Sequence, residues 1–305
     1  MKIAIFGGTG FVGNYILNKL LLEQFKPKCL VRKGSESKIL DQCEIITGDI
    51  QNKNSIINTI EDTEAIIYNI GIIREFPKKG ITFKELHFDG LKNSIEIAQK
   101  INVKRFILMS ANGVKSNGTE YQKTKWRAEQ LLKESRLNWT IFKPSLIFGN
   151  PMVDGQPEFC LQLKKDMLSL PFPAPLFYKG LLPFSAGDFS MSPIHVENVA
   201  DFFVNALKMK STEQKIYNLG GPDTITWKNI IHNIALASGK MTWKVPAPIG
   251  PIKMVASIFD KFEWFPVTKD QLNMLIEGNC VDEKYFDKFS IKPKYFDQEN
   301  LNYLA

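Results

Sequence analysis

Short apolar runs alternate with segments of helical periodicity through the first half of the chain. KIAIF at residues 2–6 precedes NYILNKLLLEQF at 14–25, whose apolar positions recur with helical spacing, and KCLVR at 28–32 is the next apolar run. The alternation continues as far as WTIFKPSLIFG at 139–149. Short strands that are apolar at nearly every position are typical of parallel sheets covered by helices on both faces. The pattern therefore predicts an α/β fold with a doubly wound parallel sheet, the Rossmann fold.

The pattern changes after Gly149. LSLPFPAPLFYKGLLPF at residues 168–184 is rich in Pro, Leu and Phe and has no regular period, which predicts irregular structure. MSPIHVENVADFFVNALK at 191–208 again has the pattern of a strand followed by a helix. The sequence therefore predicts a Rossmann domain and a smaller, interleaved C-terminal lobe. The Rossmann domain is expected to comprise residues 1–149 plus about 187–225, and the lobe about 150–186 plus 226–305.

The amino-acid composition limits the classes of function that the protein can have. The chain has 305 residues, of which 44% are hydrophobic and 23% charged, as in an ordinary globular protein. Its net charge is +7, but no helix or loop gathers a dense basic run and no nucleic-acid module is visible, so we expect no nucleic-acid partner. Four scattered cysteines predict a reduced protein without a disulfide or zinc framework. Three histidines without metal-ligand spacing predict no metal site.

The sequence carries no pattern of a secretory signal. Strand-like residues begin at position 2, and no apolar run approaches the roughly 18 residues that a membrane-spanning helix requires. We therefore expect a cytoplasmic protein without a signal peptide or transmembrane helix, with peripheral contact to a membrane complex left open.

The run GGTGFVG after the first apolar segment fits the spacing G-x-x-G-x-x-G. Such a turn lets the backbone approach a pyrophosphate, and the following helix presents free N–H groups and a positive dipole end to that anion. The order strand, turn, helix is the context that this motif requires. The turn therefore predicts a dinucleotide site with cofactor-binding residues Gly7, Thr9, Gly10, Phe11, Val12 and Gly13.

Two cations follow the second apolar run. An Asp or Glu at the end of the second strand would bind the ribose 2′-hydroxyl of NAD, but this chain has Arg32 and Lys33, followed by Ser35. Two cations and a small hydroxyl suit a 2′-phosphate. We therefore favour NADP(H) as the cofactor, with NAD(H) as the alternative if these residues only form a solvated basic loop.

Tyr121 and Lys125 form the pattern Y-x-x-x-K at the start of a predicted helix. Residues four apart lie on one helix face, and an ammonium group can lower the pKa of a neighbouring phenol. Tyr121 could then exchange a proton with a substrate oxygen while hydride moves to or from nicotinamide. Lys125 could also hold the nicotinamide ribose.

Taken together, GGTGFVG, GDI, YNIG, VKRFILMSANG, YQKTKWRAE and KPSLIFG resemble the short-chain dehydrogenase/reductase superfamily, in its extended and atypical branch. The resemblance covers about the first 220 residues. It implies that Asp49 and Ile50 flank the adenine and that Asn69 to Gly71 line the cofactor cleft. It also implies that the stretch from Pro144 to Ile147 passes near the nicotinamide.

A narrower resemblance involves LNWTIFKPSLIFG and the tail element FPVTKDQLNMLIEGN at residues 265–279, which are similar to the dinucleotide-binding accessory subunits of respiratory complex I and their bacterial relatives. These proteins are thought to hold NADPH as a structural or regulatory ligand. The superfamily resemblance makes Ser110 the candidate catalytic hydroxyl. In many extended members, however, that hydroxyl lies two positions later, where this chain has Asn112.

Two functions follow from these features. One is a binding, assembly or redox-sensing protein with a respiratory-complex or membrane-edge protein as its partner. The other is an NAD(P)-dependent epimerase/dehydratase or reductase that acts on a sugar nucleotide or small carbonyl compound through Tyr121, Lys125 and Ser110. The sequence specifies neither the substrate nor the oligomeric state.

Overall fold

A computed structural model describes residues 1–169, 173–259 and 269–305. Seven parallel strands form the central sheet in the order β3-β2-β1-β4-β5-β6-β11. Strand order reverses between β1 and β4, as in doubly wound sheets. The predicted Rossmann fold is confirmed. The strands are β1 (Lys2–Phe6), β2 (Lys26–Val31), β3 (Glu44–Thr47), β4 (Ala65–Tyr68), β5 (Arg105–Met109), β6 (Asn138–Pro144) and β11 (Lys215–Leu219).

Helices cover both faces of this sheet. The helices α1 (Phe11–Leu22) and α6 (Val196–Lys208) pack on one face, and α2 (Lys53–Ile60), α3 (Gly90–Lys100) and α4 (Glu120–Lys133) pack on the other. The central strands β1, β4 and β5 are therefore buried along almost their whole length, which explains their continuous apolar runs. A π-helical turn at Lys84–Asp89 precedes α3.

A third hydrophobic core, besides those on the two faces of the sheet, forms the small lobe around Trp227, whose ring stacks on Phe177 and Phe189. The Pro-rich segment that predicted irregular structure contains a strand, β8, because its backbone pairs in parallel with β13. The lobe and its connections contain β7 (Ile147–Phe148), α5 (Phe159–Leu163), β8 (Ala174–Tyr178), β9 (Ser190–Met191), β10 (Ile194–His195), β12 (Ile225–Thr226), α7 (Trp227–Ala237), β13 (Lys244–Pro248), α8 (Ile249–Phe259) and α9 (Lys269–Glu277).

The C-terminal tail contacts the core on the α1/α6 face of the sheet and the core of the small lobe. Phe286 and Phe289 pack against Phe202 of α6 on the Rossmann face, whereas Leu301 and Leu304 are buried in the lobe. The tail from 226 was predicted to belong to the lobe throughout, but these aromatic rings cover the sheet because α6 presents an aromatic face to them. The first residues of the predicted tail element, 265–268, lie outside the described residues.

Candidate functional site

The carboxyl ends of the parallel strands meet at one edge of the sheet. The turn after β1 begins at Gly7, the loop after β2 carries Arg32 and Lys33, and the loop after β3 carries Asp49. The loops after β4 and β5 begin at Asn69 and Ser110. Ligands of open α/β sheets bind outside this edge, at the point where strand order reverses. The fold therefore brings most of the predicted site residues to the place where a dinucleotide would lie.

The glycines of the turn have different structural requirements. Gly7 has a φ of +91°, and a Cβ atom on Gly13 would lie 2.1 Å from the carbonyl oxygen of Gly7. Gly10 is exposed, has a φ of −83°, and would place a Cβ atom no closer than 3.6 Å to other protein atoms. No packing within the protein excludes a side chain at Gly10. A ligand that approaches the backbone there would exclude one, as a pyrophosphate does.

Within the residues that the structure describes, no protein group accepts a hydrogen bond from the free N–H groups at the N-terminus of α1. Gly10 is the N-cap, no side chain caps it, and the first turn has no acidic residue. Thr9, Phe11 and Val12 are half-buried beside this end. Backbone donors and the helix dipole therefore face outward, an arrangement that suits an anionic ligand. The donor set fits a dinucleotide pyrophosphate.

The glycine turn is tied to the loop that carries the two cations. The Nδ2 of Asn14 donates to the carbonyl of Gly8 at 2.6 Å and to that of Lys38 at 3.2 Å. Arg32 and Lys33 are exposed, and within the described part of the chain neither makes an ion pair. Asn14 thus fixes the cationic loop relative to the pyrophosphate position and leaves both charges available to an anion.

The residues expected beside adenine and along the cleft occupy the next two strand ends. The exposed carboxylate of Asp49 accepts a hydrogen bond from the N–H of Gln51, whereas Ile50 is buried. The Nδ2 of Asn69 donates to the carbonyl of Gly7 at 3.4 Å. A Cβ on Gly71 would lie 3.6 Å from the Nζ of Lys125, so this backbone passes close to the lysine.

Pro144 and Ile147 mark the end of β6 and the short strand β7. The carbonyl of Pro144 accepts from the N–H of Asn112 at 2.9 Å. Ile147 pairs with Ile194 of β10, and its half-buried side chain packs against the core of the α1/α6 face. The structure therefore places Pro144 at the strand edge and gives Ile147 a packing role.

Tyr121 and Lys125 lie on one face of α4, as their spacing predicted. The Nζ of Lys125 lies 5.8 Å from the centre of the Tyr121 ring and donates to the carbonyl of Met109 at 3.2 Å. Burial lowers the pKa of Lys125 to about 8, and the charge of Glu129 opposes part of this shift. Burial raises the pKa of Tyr121 well above its ordinary value. The lysine therefore does not lower the phenol pKa as expected, and Tyr121 stays protonated at neutral pH.

His87 belongs to the surroundings of Tyr121, although no motif in the sequence marks it as a site residue. Its Nε2 accepts from the N–H of Ile72 at 3.1 Å, and its Nδ1 lies 3.3 Å from the Oγ1 of Thr124. Burial, reinforced by the charge of Lys125, lowers its pKa to about 2. The ring meets Tyr121 edge-on with centroids 5.4 Å apart. A neutral histidine therefore supports the wall of the site.

The two candidates for a third catalytic group are both occupied by protein partners. The hydroxyl of Ser110 donates to the buried carboxylate of Glu129, which also pairs with Lys143 at 3.3 Å. The Nδ2 of Asn112 donates to the Oδ1 of Asn279 at 2.7 Å and to the carbonyl of Cys280 at 3.1 Å. Ser110 has one hydroxyl proton and Asn112 has two amide protons. In this arrangement neither has a proton left for a substrate oxygen.

The chain's own tail makes these contacts. The carbonyl of Asn279 also accepts from the hydroxyl of Ser145 at 2.7 Å and from the N–H of Ser192 at 3.0 Å. Glu277, at the end of α9, pairs with Lys115 at 2.8 Å and accepts from Gln122 at 3.2 Å. Residues 277–280 therefore satisfy polar groups in the segments that follow β5 and β6.

The buried Lys125 gives a prediction for the cofactor-free protein. Its pKa is lowered from 10.5 to about 8 on folding, so between these values the unfolded chain binds more protons than the folded one. Stability must then rise with pH in this range, by about 3 kcal/mol for this group, because each unit of difference in pKa corresponds to about 1.4 kcal/mol. Thermal unfolding of the wild type should show this rise relative to Lys125→Met. A control variant, Lys123→Met, should retain it; an equal pH response in Lys125→Met would contradict the assignment.

Among the residues that the structure describes, no group of three or more His, Cys, Asp or Glu side chains could hold a metal ion. None of the described helices is long and apolar enough to cross a membrane.

Comparisons with known proteins agree with this geometry. A family model described as NAD(P)H-binding matches residues 7–158. The 40 kDa subunit of mitochondrial NADH-ubiquinone oxidoreductase from Neurospora crassa is 25% identical, covering 98% of this chain and 78% of that protein. The photosystem II assembly factor Ycf39 of Trieres chinensis is 23% identical, covering 95% and 86%.

Among solved structures, the UDP-glucose 4-epimerase of Thermus thermophilus in complex with NAD has the same fold, with a TM-score of 0.74 at 16% identity over 100% of this chain and 97% of that one. The matched family model covers the glycine turn, both cations and the Tyr121–Lys125 pair. The protein is therefore an NAD(P)H-binding, atypical short-chain dehydrogenase/reductase-like protein. Residues 7–158 belong to the NAD(P)H-binding family whose model they match, and the homologues of the chain include proteins of the extended short-chain dehydrogenase/reductase type.

Proposed function

We propose that this protein holds NADP(H) as a bound structural or regulatory ligand and has an assembly or redox-sensing role, without rapid turnover of a substrate. One observation carries the proposal. The protons that Ser110 and Asn112 could donate are used by Glu129 and by the tail at Asn279 and Cys280. Tyr121 therefore lacks a second donor that would hold and polarise a substrate oxygen beside it.

The preference for NADP(H) rests on Arg32 and Lys33. Both are exposed cations at the end of β2, held near the glycine turn through Asn14. A 2′-phosphate would receive charge-assisted hydrogen bonds from them. The 2′-hydroxyl of NAD would need an Asp or Glu as acceptor at the end of β2, and positions 32 and 33 carry cations instead. In this proposal the N-terminus of α1 binds the pyrophosphate and Lys125 holds the nicotinamide ribose. Bound NADPH would supply a hydride.

The sequence relatives support an association with a larger assembly. One is a subunit of NADH-ubiquinone oxidoreductase and the other is a photosystem II assembly factor. Both align with nearly the whole of this chain. We therefore propose, from these relatives, that this chain is an accessory or assembly protein with a protein partner at a membrane complex.

A second candidate function is catalysis by Tyr121 and Lys125. The phenol is protonated at neutral pH and lies beside a buried lysine, so it could donate a proton to a carbonyl oxygen. The structural similarity to a UDP-glucose 4-epimerase also suits an epimerase/dehydratase or reductase. In this case the tail at residues 277–280 would have to leave its present hydrogen bonds before a substrate could reach them.

Tyr121→Phe separates the two functions. The hydroxyl is not needed to hold the dinucleotide in the binding role, so NADPH affinity should stay within about twofold of wild type. Neither form should reduce or oxidise a panel of carbonyl compounds and sugar nucleotides. Tyr295→Phe, at an exposed position, is the matched control. A wild-type activity that Tyr121→Phe abolishes, with NADPH affinity unchanged, would establish the enzyme instead.

A further inference from the structure

Several large apolar side chains of the small lobe are exposed on one two-stranded ribbon, formed by β8, β13 and the loops at their ends. Leu181 is 97% exposed and Phe184 87%, while Met241 is 96% and Trp243 82% exposed. Leu182 and Val245 are exposed as well. Scattered exposed apolar residues are normal, but several large apolar side chains exposed to this degree on one short element mark a contact surface.

The geometry of the ribbon brings these residues onto one structural unit. β8 and β13 pair in parallel over five residues, a length of about 16 Å. Leu181, Leu182 and Phe184 lie in the loop beyond the carboxyl end of β8, and the turn at Pro183–Ser185 contacts both strands. Met241 and Trp243 precede β13, and the carbonyl of Trp243 accepts from the N–H of Ala174. Exposed apolar tips thus lie at both ends of a short, continuous element.

The charge of the ribbon has one sign. Residues 173–187 and 239–248 include Lys179, Lys240 and Lys244 but no aspartate or glutamate. The next acidic residue, Asp188, is paired with Lys228 at 2.9 Å. The whole chain carries a net charge of +7. The ribbon therefore presents Trp, Phe, Leu and Met side chains together with three lysines, of which Lys179 also interacts with the charge of Glu277 and Lys240 donates to the hydroxyl of Ser169.

We propose that the ribbon docks on the surface of a lipid bilayer that contains anionic headgroups. Trp and Phe favour the boundary between headgroups and acyl chains, and lysine stems extend along apolar surface while their ammonium groups meet phosphates. Apolar insertion and attraction to anionic lipids together give reversible binding to a membrane surface. The tips of Leu181, Phe184 and Trp243 enter the interface, and Lys179 and Lys244 contact the headgroups.

Co-sedimentation with vesicles tests this proposal. Wild-type protein should bind vesicles of phosphatidylcholine with phosphatidylglycerol at least about tenfold more tightly than vesicles of phosphatidylcholine alone, and salt should weaken the binding. Leu181→Ser combined with Phe184→Ser, and separately Trp243→Ser, should each lower binding to anionic vesicles by about tenfold. Lys179→Glu combined with Lys244→Glu should have a similar effect. Leu236→Ser, an exposed leucine on α7, is the matched control and should bind like wild type.

Three outcomes would overturn the proposal: no binding of the wild type to anionic vesicles, equal binding to both vesicle types, or a loss in Leu236→Ser as large as in the ribbon variants. If the ribbon variants instead change the mass of the protein in solution without changing vesicle binding, the ribbon is an interface between copies of the chain. NADPH binding by each variant monitors the fold independently. A wild type that binds vesicles but not NADPH would refute the proposed cofactor and leave the membrane surface standing.

Discussion

Gly13→Ala is expected to abolish NADP(H) binding and to lower the stability of the protein. The added Cβ would lie 2.1 Å from the carbonyl oxygen of Gly7 and 2.8 Å from that of Gly8, and both are backbone atoms that no rotamer change can move. The turn must open, which displaces the start of α1 from the pyrophosphate position. Overpacking of this kind costs about 3 kcal/mol, so the thermal midpoint should fall by roughly 5 °C or more.

Gly10→Ala distinguishes an effect on ligand binding from an effect on the stability of the fold. Its Cβ would meet no protein atom closer than 3.6 Å and its φ is negative, so the cost in stability should stay below about 1 kcal/mol. The methyl group would nevertheless enter the space in front of the N-terminus of α1. We expect NADPH affinity to fall by about tenfold or more, measured by fluorescence titration. Gly250→Ala, which meets open space, is the control. Unchanged affinity in Gly10→Ala would contradict the pyrophosphate position.

The double variant Arg32→Asp with Lys33→Ser should lose most of its affinity for NADPH and keep its affinity for NADH. Two charge-assisted hydrogen bonds to a 2′-phosphate are worth about 3 kcal/mol together, so the dissociation constant for NADPH should rise about a hundredfold. The aspartate could accept a hydrogen bond from the 2′-hydroxyl, so NADH should bind at least as well as before. Isothermal titration of both nucleotides gives the ratio directly.

The matched control carries the same charge change at the opposite edge of the sheet. Arg136 and Lys104 are exposed cations just before β6 and β5, at the amino ends of the strands. Arg136→Asp with Lys104→Ser should change NADPH binding by less than about threefold, because long-range attraction is screened over these distances. If both double variants weaken the binding of NADPH and NADH equally, the loop after β2 does not recognise the 2′-phosphate.

The Rossmann half of the molecule could be predicted because its signals are local. Each buried strand is a continuous apolar run, and the glycine turn requires particular residues at positions where the structure shows a positive φ at Gly7 and a backbone contact at Gly13. Tyr121 and Lys125 share a helix face through their spacing alone. Because strands and helices alternate, the sheet is parallel, and the loops that carry Gly7, Arg32 and Asn69 must meet at the edge formed by the carboxyl ends of the strands.

The remaining features depend on contacts between distant segments, which leave no periodic signal. Asn112 bonds to Asn279, which lies 167 residues later in the sequence, and Ser110 bonds to Glu129 from the next helix. His87 lies in a segment that has an ordinary amphipathic pattern, and only the fold brings it to Ile72 and Thr124. The strand β8 depends on backbone pairing with β13, in which each residue pairs with one 70 residues later, and this pairing overrides its Pro-rich composition.

The central claim is that the chain retains NADP(H) without turning it over, and the nucleotide content of protein purified without added cofactor tests it most directly. Mass spectrometry of the denatured protein, with the near-ultraviolet absorbance of reduced nicotinamide before denaturation, identifies and quantifies the ligand. We expect about one NADP(H) per chain that survives desalting and stays unchanged during incubation with carbonyl compounds. Protein that carries no nucleotide and binds none when NADPH is added, or bound NADPH that is rapidly oxidised by a carbonyl substrate, would contradict it.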